Sequence, residues 1–279
     1  MRTFTRFKSA RQVGFTLVEM VTVILILGII VVGVSGFIIF GTRIFVESSA
    51  VDQVLSQSRF GVERMTRDIR SALPNSTRLL TATDGRYQCI EFVPITASTS
   101  YVNAPIAPAA TSNTLSAIVI NQTILAGQWA VMYPLTTSEI YNPIGSTAKR
   151  FLISNVGTSG DQVSLTFGSS IRFTEASPLK RLYITAQPVS YCIENQTNGT
   201  SDLTRYTNYG YQNSQPAPTA MANRVIMAQN IINNLLIEPA ITLTPSSLVT
   251  NAIVHIEPRF SVNGESFKYQ HQVQVINVP

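Results

Sequence analysis

Apolar residues run almost without a break from Phe15 to Phe40; Glu19 is the one charge among them, and the next is Arg43. About 20 helical residues span a hydrocarbon core ~30 Å thick, so this run is long enough to cross a bilayer as one helix. Beyond Arg43 the apolar positions thin to a stripe: Val51, Val54, Leu55, Val62, Met65, Ile69 and Leu73. Steps of three and four place them on one helical face, predicted to dock on a folded domain. The other side carries Arg59/Glu63, Glu63/Arg67 and Arg64/Asp68, i,i+4 pairs that support an exposed helical surface. No proline interrupts the chain from Phe15 to Leu73, and Pro74-Asn75 is a stop signal. The expectation is one helix over residues 15–73, roughly 88 Å long at ~1.5 Å per residue. Gly28, Gly33 and Gly36 interrupt its apolar part without forming GxxxG. Each costs about 1 kcal/mol relative to alanine, which predicts a soft place near Gly36.

From Asn75 onward the pattern changes to short β-branched and aromatic runs separated by Gly, Pro, Asn and Ser. Strands are predicted at 87–93, 117–125, 129–133, 150–154, 162–167 and 182–186. The clearest hairpin joins 252–262 to 265–278 through Asn263-Gly264, the strongest short signal for a type I′ turn. In its second arm Phe267, Tyr269, His271, Val273 and Val275 share one face, the mark of a half-buried antiparallel strand. Residues 223–236 fit either a short helix or a strand, with a helical turn before a strand near Ile241 the favoured reading. Residues 96–112 and 195–219 read as long surface loops, the second carrying Tyr206, Tyr209 and Tyr211. Tyrosine offers large amphipathic contact area at low entropic cost, so this second loop is a candidate binding surface. A solvated loop with packed rings is the plainer alternative.

Charge sharpens the N-terminal picture. The chain has 279 residues with 20 basic and 15 acidic side chains, a net charge of +5. Four of the basic residues, Arg2, Arg6, Lys8 and Arg11, lie within the first fourteen positions, which hold no acid. Cations ahead of an apolar helix stay in the cytoplasm, so the C-terminal part is sent outward. Without that leader 16 basic and 15 acidic residues remain, about +1, so nucleic acid is not an expected partner.

Patterns for catalysis are missing from the sequence. His255 and His271 both fall in predicted strands, and there is no HExxH, no G-x-S-x-G and no Gly-rich phosphate loop. Glu91, Asp161, Glu175 and Asp202 are scattered, with no ligand spacing. A non-enzymatic protein without metal or cofactor is expected. Cys89 and Cys192 fall in strand-like segments outside the cytoplasm, where a disulfide is plausible. Two buried free thiols are the alternative.

The order of leader, Gly14-Phe15-Thr16-Leu17-Val18-Glu19-Met20 and apolar run differs from a secretory signal, whose cleavage site follows the apolar stretch. It resembles the class III signal of the type IV pilin and type II secretion pseudopilin family. Within that family it looks closest to the minor pilins of the MSHA (mannose-sensitive haemagglutinin) pilus, which are related to J-type pseudopilins. The ending His271-Gln272-Val273-Gln274-Val275-Ile276-Asn277-Val278-Pro279 is a looser likeness to that subgroup.

The resemblance implies cleavage by a prepilin peptidase between Gly14 and Phe15 and N-methylation of Phe15. It implies an assembly role for Glu19, whose carboxylate would meet the terminal amine of an adjoining subunit or of its own Phe15. It further implies an α+β pilin-like fold: a leader at 1–14, a transmembrane segment at 15–40, an amphipathic segment at 41–73 and an antiparallel β-rich head at 74–279. Expected partners are other minor and major pilins, an inner-membrane assembly platform, and membrane lipid before assembly. The implied function is a minor pilin priming or tipping the fibre. A J-like pseudopilin, or a tip adhesin using residues 195–219 on a glycan, is the alternative.

Overall fold

The computed structural model describes residues 14–142, 148–246 and 250–275. The chain is α+β, with one long apolar N-terminal helix followed by an antiparallel β-rich domain. Helix α1, Leu17–Arg70, has 54 residues. It ends before Leu73 because sheet-like pairing takes over: Ala72 bridges Pro94, and the Leu73 amide donates to Val93 O at 2.7 Å.

Two compact units divide between Val51 and Asp52. In the first, the large apolar side chains from Phe15 to Val46 are exposed. Helix α1 is long and apolar enough to cross a membrane. It passes through Gly28, Gly33 and Gly36 as helix, and a Cβ at any of them would meet open space.

In the second unit the last turns of α1 bury Val62, Met65 and Ile69 against a seven-stranded sheet. That sheet runs β1 (Arg78–Thr81), β2 (Tyr87–Phe92), β9 (Val189–Asn195), β10 (Ser201–Tyr206), β11 (Val225–Ile231), β14 (Arg259–Val262) and β15 (Glu265–Lys268). Period-two alternation sorts its side chains. Ile90, Phe92, Tyr191, Ile193 and Leu203 join the core that includes the helix, while Cys89, Cys192 and Tyr206 form a separate cluster. A three-stranded sheet, β12 (Ile241–Thr244), β13 (Ala252–Ile256) and β16 (His271–Val275), adds Ile241, Val254, Ile256, Val273 and Val275 to the helix-side core. Asp68 pins the helix in place: its carboxylate accepts from Tyr191 Oη at 2.8 Å and Arg205 Nε at 3.0 Å, and Arg64 pairs with it at 3.0 Å.

Between β2 and β9 the chain forms a closed six-stranded barrel. Its circuit is β3 (Ile95–Asn103), β4 (Ser112–Ile118), β7 (Gln162–Ile171), β6 (Arg150–Ser159), β5 (Trp129–Val131) and β8 (Arg181–Thr185). Leu115, Ile153, Leu165, Phe173, Leu182 and Ile184 are among the residues of its core. A short helix, α2 (Thr137–Tyr141), follows β5.

Several sequence-based expectations change. Much of 96–112, read as a loop, is β3, whose partners β4 and β8 recruit its Ser/Thr-rich text into the barrel wall. The strand expected at 117–125 ends at Ile118. The helical turn at 223–236 is instead strand β11, because β10 and β14 take up its backbone groups. Residues 195–219 contain β10, so only 207–224 form the connection there. The hairpin about Asn263-Gly264 forms with both residues at positive φ, 52° and 88°. Its arms then part between two sheets at Glu257-Pro258 and Tyr269-Gln270, while Arg259↔Lys268 and Ile256↔His271 keep one register. Residues 276–278 of the expected second arm, together with Pro279 and the expected leader up to Val13, lie outside the described residues.

Candidate functional site

The N-terminal site is built from one helical turn. Thr16 immediately precedes α1, and its Oγ1 accepts from the Glu19 backbone amide at 3.3 Å. This satisfies one of the amide donors left free at a helix start. Thr16-Leu17-Val18-Glu19 has the spacing of a capping box, a signal the sequence reading passed over. A carboxylate in the first turn also favours the helix dipole. Glu19 is exposed, and among the described residues it has no ion pair. Gly14 and Phe15 are exposed ahead of the helix, with Phe15 at 78%. Gly14, Phe15 and Glu19 therefore sit within six residues around a helix end, all open to a partner.

The second place of interest is the sheet face that carries the disulfide. Cys89 and Cys192 are directly opposed on β2 and β9 and are bonded, S–S 2.11 Å. Both are buried, and residues 207–224 pass over this face. The tyrosines proposed as a binding surface turn inward. Tyr206 donates to Glu194 at 2.8 Å, and Tyr209 shares a hydrogen bond of 2.8 Å with Ser190 and donates to Glu91 at 3.1 Å. Tyr211 donates to Ala186 O at 2.9 Å, and its ring covers the Arg150 guanidinium at 3.6 Å. Trp129 also lies against Arg150, at 4.2 Å, and meets Tyr211 edge-to-face at 5.2 Å. Burial pushes the Tyr211 hydroxyl up to about 12.

Glu91 is wholly buried and pairs with Arg78 at 2.6 Å. Burial raises its carboxyl above the usual range, and Arg78 and the Tyr209 hydroxyl oppose that rise. The same Arg78 donates to the carbonyls of Gln212 and Asn213, so one guanidinium fastens the crossing segment to the sheet. The scattered acids form no cation site among the described residues. Glu91 pairs with Arg78, Glu175 with Lys149 and Asp202 with Arg224, and Asp161 lies in the β6–β7 turn. His255 and His271 occupy β13 and β16 as strand residues.

Compared with protein-family models, curated proteins and solved structures, the chain matches none.

Proposed function

We propose that this chain is a non-enzymatic minor pilin, a subunit that helps prime or tip a type IV pilus of the MSHA kind. One observation carries the reading: the Gly14-Phe15 junction precedes the apolar helix, and Glu19 occupies that helix's first turn. Cutting there leaves the helix on the mature chain and places a new amine at Phe15, one turn from Glu19. The four cations of the leader hold it in the cytoplasm, where a prepilin peptidase would remove it, while the β-rich head is exported. A carboxylate at the centre of a bilayer costs roughly 2.5–3.5 kcal/mol on insertion scales. A neighbouring subunit's ammonium offsets such a cost near the membrane surface and sets the axial register of adjoining stems. The assembly platform then draws the helix from lipid into a bundle with other minor and major pilins.

The test separates this pairing from simple helix capping. Glu19→Ala keeps the backbone amide that Thr16 accepts from, so membrane insertion and cleavage are expected to persist while fibre number falls. Wild-type piliation by the Glu19→Ala strain would contradict the pairing mechanism.

A further inference from the structure

Among the described residues, the large apolar side chain most open to solvent lies outside the membrane-length run. Ile237 is 82% exposed, and Leu236 beside it is 58% exposed. They form the tip of the connection that leaves the sheet at the end of β11 and returns as β12. Leu235 anchors this tip in the helix-side core, and Leu236 lies against Gly85 in the β1–β2 turn. Asn234 ties the turn: its Oδ1 accepts from the Leu236 and Ile237 amides at 3.2 and 3.3 Å. Its carbonyl accepts from the amides of Ile237 and Glu238 at 3.1 and 2.7 Å. The amides beneath the two apolar side chains are satisfied within the turn, so an apolar medium would strand none of them. The flanking charges are paired as well, Glu238 with Arg259 at 2.8 Å and Lys268 at 3.4 Å, and Asp84 with Arg86.

Contacts along α1 fix the end of the sheet at which the tip lies. Ala72 bridges Pro94, Asp68 binds Tyr191 and Arg205, and a Cβ on Gly61 would meet Met227 O and Ala228 Cβ. The registers Phe92↔Val189, Tyr191↔Arg205 and Leu203↔Ala228 order these points along the strands. Followed from Ala72 back to Gly61, the helix therefore runs from the Pro94 end of the sheet toward the end that holds Arg86, Asn195, Ser201 and Ile231. The connection carrying Leu236 and Ile237 departs from Ile231 at that same end. Only residues 47–51 separate this domain, which begins at Asp52, from Val46, where the exposed apolar stretch that starts at Phe15 ends.

We propose that Leu236 and Ile237 rest in the interface of the bilayer that α1 crosses, giving the β-rich domain its own lipid contact. Membrane binding scales with buried apolar area, and two side chains bury too little to hold a free protein on a bilayer. The tether changes that balance: α1 makes insertion of the tip intramolecular, so a weak contact is populated at the high effective concentration of a short link. A bilayer interface demands no shape complementarity, which suits a convex pair of aliphatic side chains. The contact requires that α1 span a membrane, as the proposed function does, and nothing specific to a pilus.

The experiment is fluorescence quenching on the full chain reconstituted in vesicles of phosphatidylethanolamine and phosphatidylglycerol. The two native cysteines are bonded to each other, so Ile237→Cys, or Thr158→Cys at an exposed position of the barrel, takes a single NBD fluorophore. Flotation with the vesicles checks the α1 span by itself. The label at 237 is expected to be quenched by nitroxide-bearing lipid and shielded from aqueous iodide, and the label at 158 to show the reverse. Leu236→Asp places a carboxylate beside the label at 237 and should abolish the lipid quenching. Leu236 is largely exposed, so the thermal unfolding midpoint should stay within a few degrees. A floated chain whose label at 237 is quenched no better than the label at 158, or is unaffected by Leu236→Asp, would overturn the tip contact and leave the α1 span standing. Shielding of residue 237 from an aqueous thiol reagent in intact cells but not in vesicles would identify a protein occupant and overturn it too. A chain that does not float would overturn the membrane span, and with it both this contact and the proposed function.

Discussion

The helix-backed sheet and the barrel are both built from short antiparallel strands, yet they place charge in opposite ways. In the sheet region Glu91 is buried against Arg78, Asp68 joins α1 to Tyr191 and Arg205, and Asp202 lies by Arg224. In the barrel, β3, β4, β5 and β7 contain no charged residue, and β6 and β8 carry one each, Arg150 and Arg181, at their first positions. Edges account for part of the difference. A closed barrel has none, so it needs no charges to block stray pairing. The seven-stranded sheet ends in β1 and β15, which carry Arg78, Glu265 and Lys268. The sheet must also hold a helix and a crossing segment in one register, and buried ion pairs restrict the arrangements that satisfy every group. The lesson is that the sheet side is specified by polar pairing and therefore sensitive to pH, whereas the barrel is specified by closure and apolar packing.

The contrast can be broken first at its two centres. Phe173 is fully buried, edge-to-face with Phe151 at 4.9 Å, and Phe173→Ala should cost about 3–5 kcal/mol in denaturant unfolding. Glu91→Ala strips Arg78 of its carboxylate and should cost a similar ~3–5 kcal/mol. The two differ in their pH dependence. Burial raises the Glu91 carboxyl in the fold. Its contribution is therefore fully present below the ordinary carboxylate range and is lost as pH rises through the higher folded value. Phe173→Ala should keep that slope and Glu91→Gln should flatten it; equal slopes in both would remove the contrast.

Removing the covalent tie comes next. A Cys89→Ala/Cys192→Ala chain frees a loop with a sequence separation of 103 residues. It should lose about 2–5 kcal/mol by the same unfolding measurement, and unchanged stability would show that the sheet holds β2 to β9 without it. The smallest effect concerns the helix contact. A Cβ on Gly61 would lie 3.0 Å from Met227 O and 3.2 Å from Ala228 Cβ. Gly61→Ala should cost about 1–3 kcal/mol in overpacking, offset by about 1 kcal/mol of helix propensity. A net gain in the unfolding midpoint would mean that α1 can lift from β11 at that point.

What the sequence made legible follows the range of the interactions. The long helix, its buried stripe and the Asn263-Gly264 turn are local features, readable from periodicity and from two residues that tolerate positive φ. The pairings β2–β9 and β3–β8 join segments far apart in the chain, and no local signal chooses them. Val225–Ile231 is ambiguous between helix and strand because its apolar spacing fits either period, and its partners β10 and β14 decide for strand. Tyr206, Tyr209 and Tyr211 fit either a presented surface or packed rings, because the sequence could not show Glu194, Glu91 and the Ala186 carbonyl beneath them; the structure has them packed. At the N-terminus Thr16 was readable as a cap from the Thr-x-x-Glu spacing. The four basic residues ahead of Gly14 and the position of Glu19 needed no structure at all.

The proposed function requires that the mature chain begin at Phe15. Intact-mass and N-terminal peptide mass spectrometry of the protein purified from membranes, in a strain with its prepilin peptidase, measures this directly. The account predicts a chain beginning at N-methylated Phe15, with Gly14 and everything before it gone. A mature protein that still begins at Met1, or one cut after the apolar run, would contradict it.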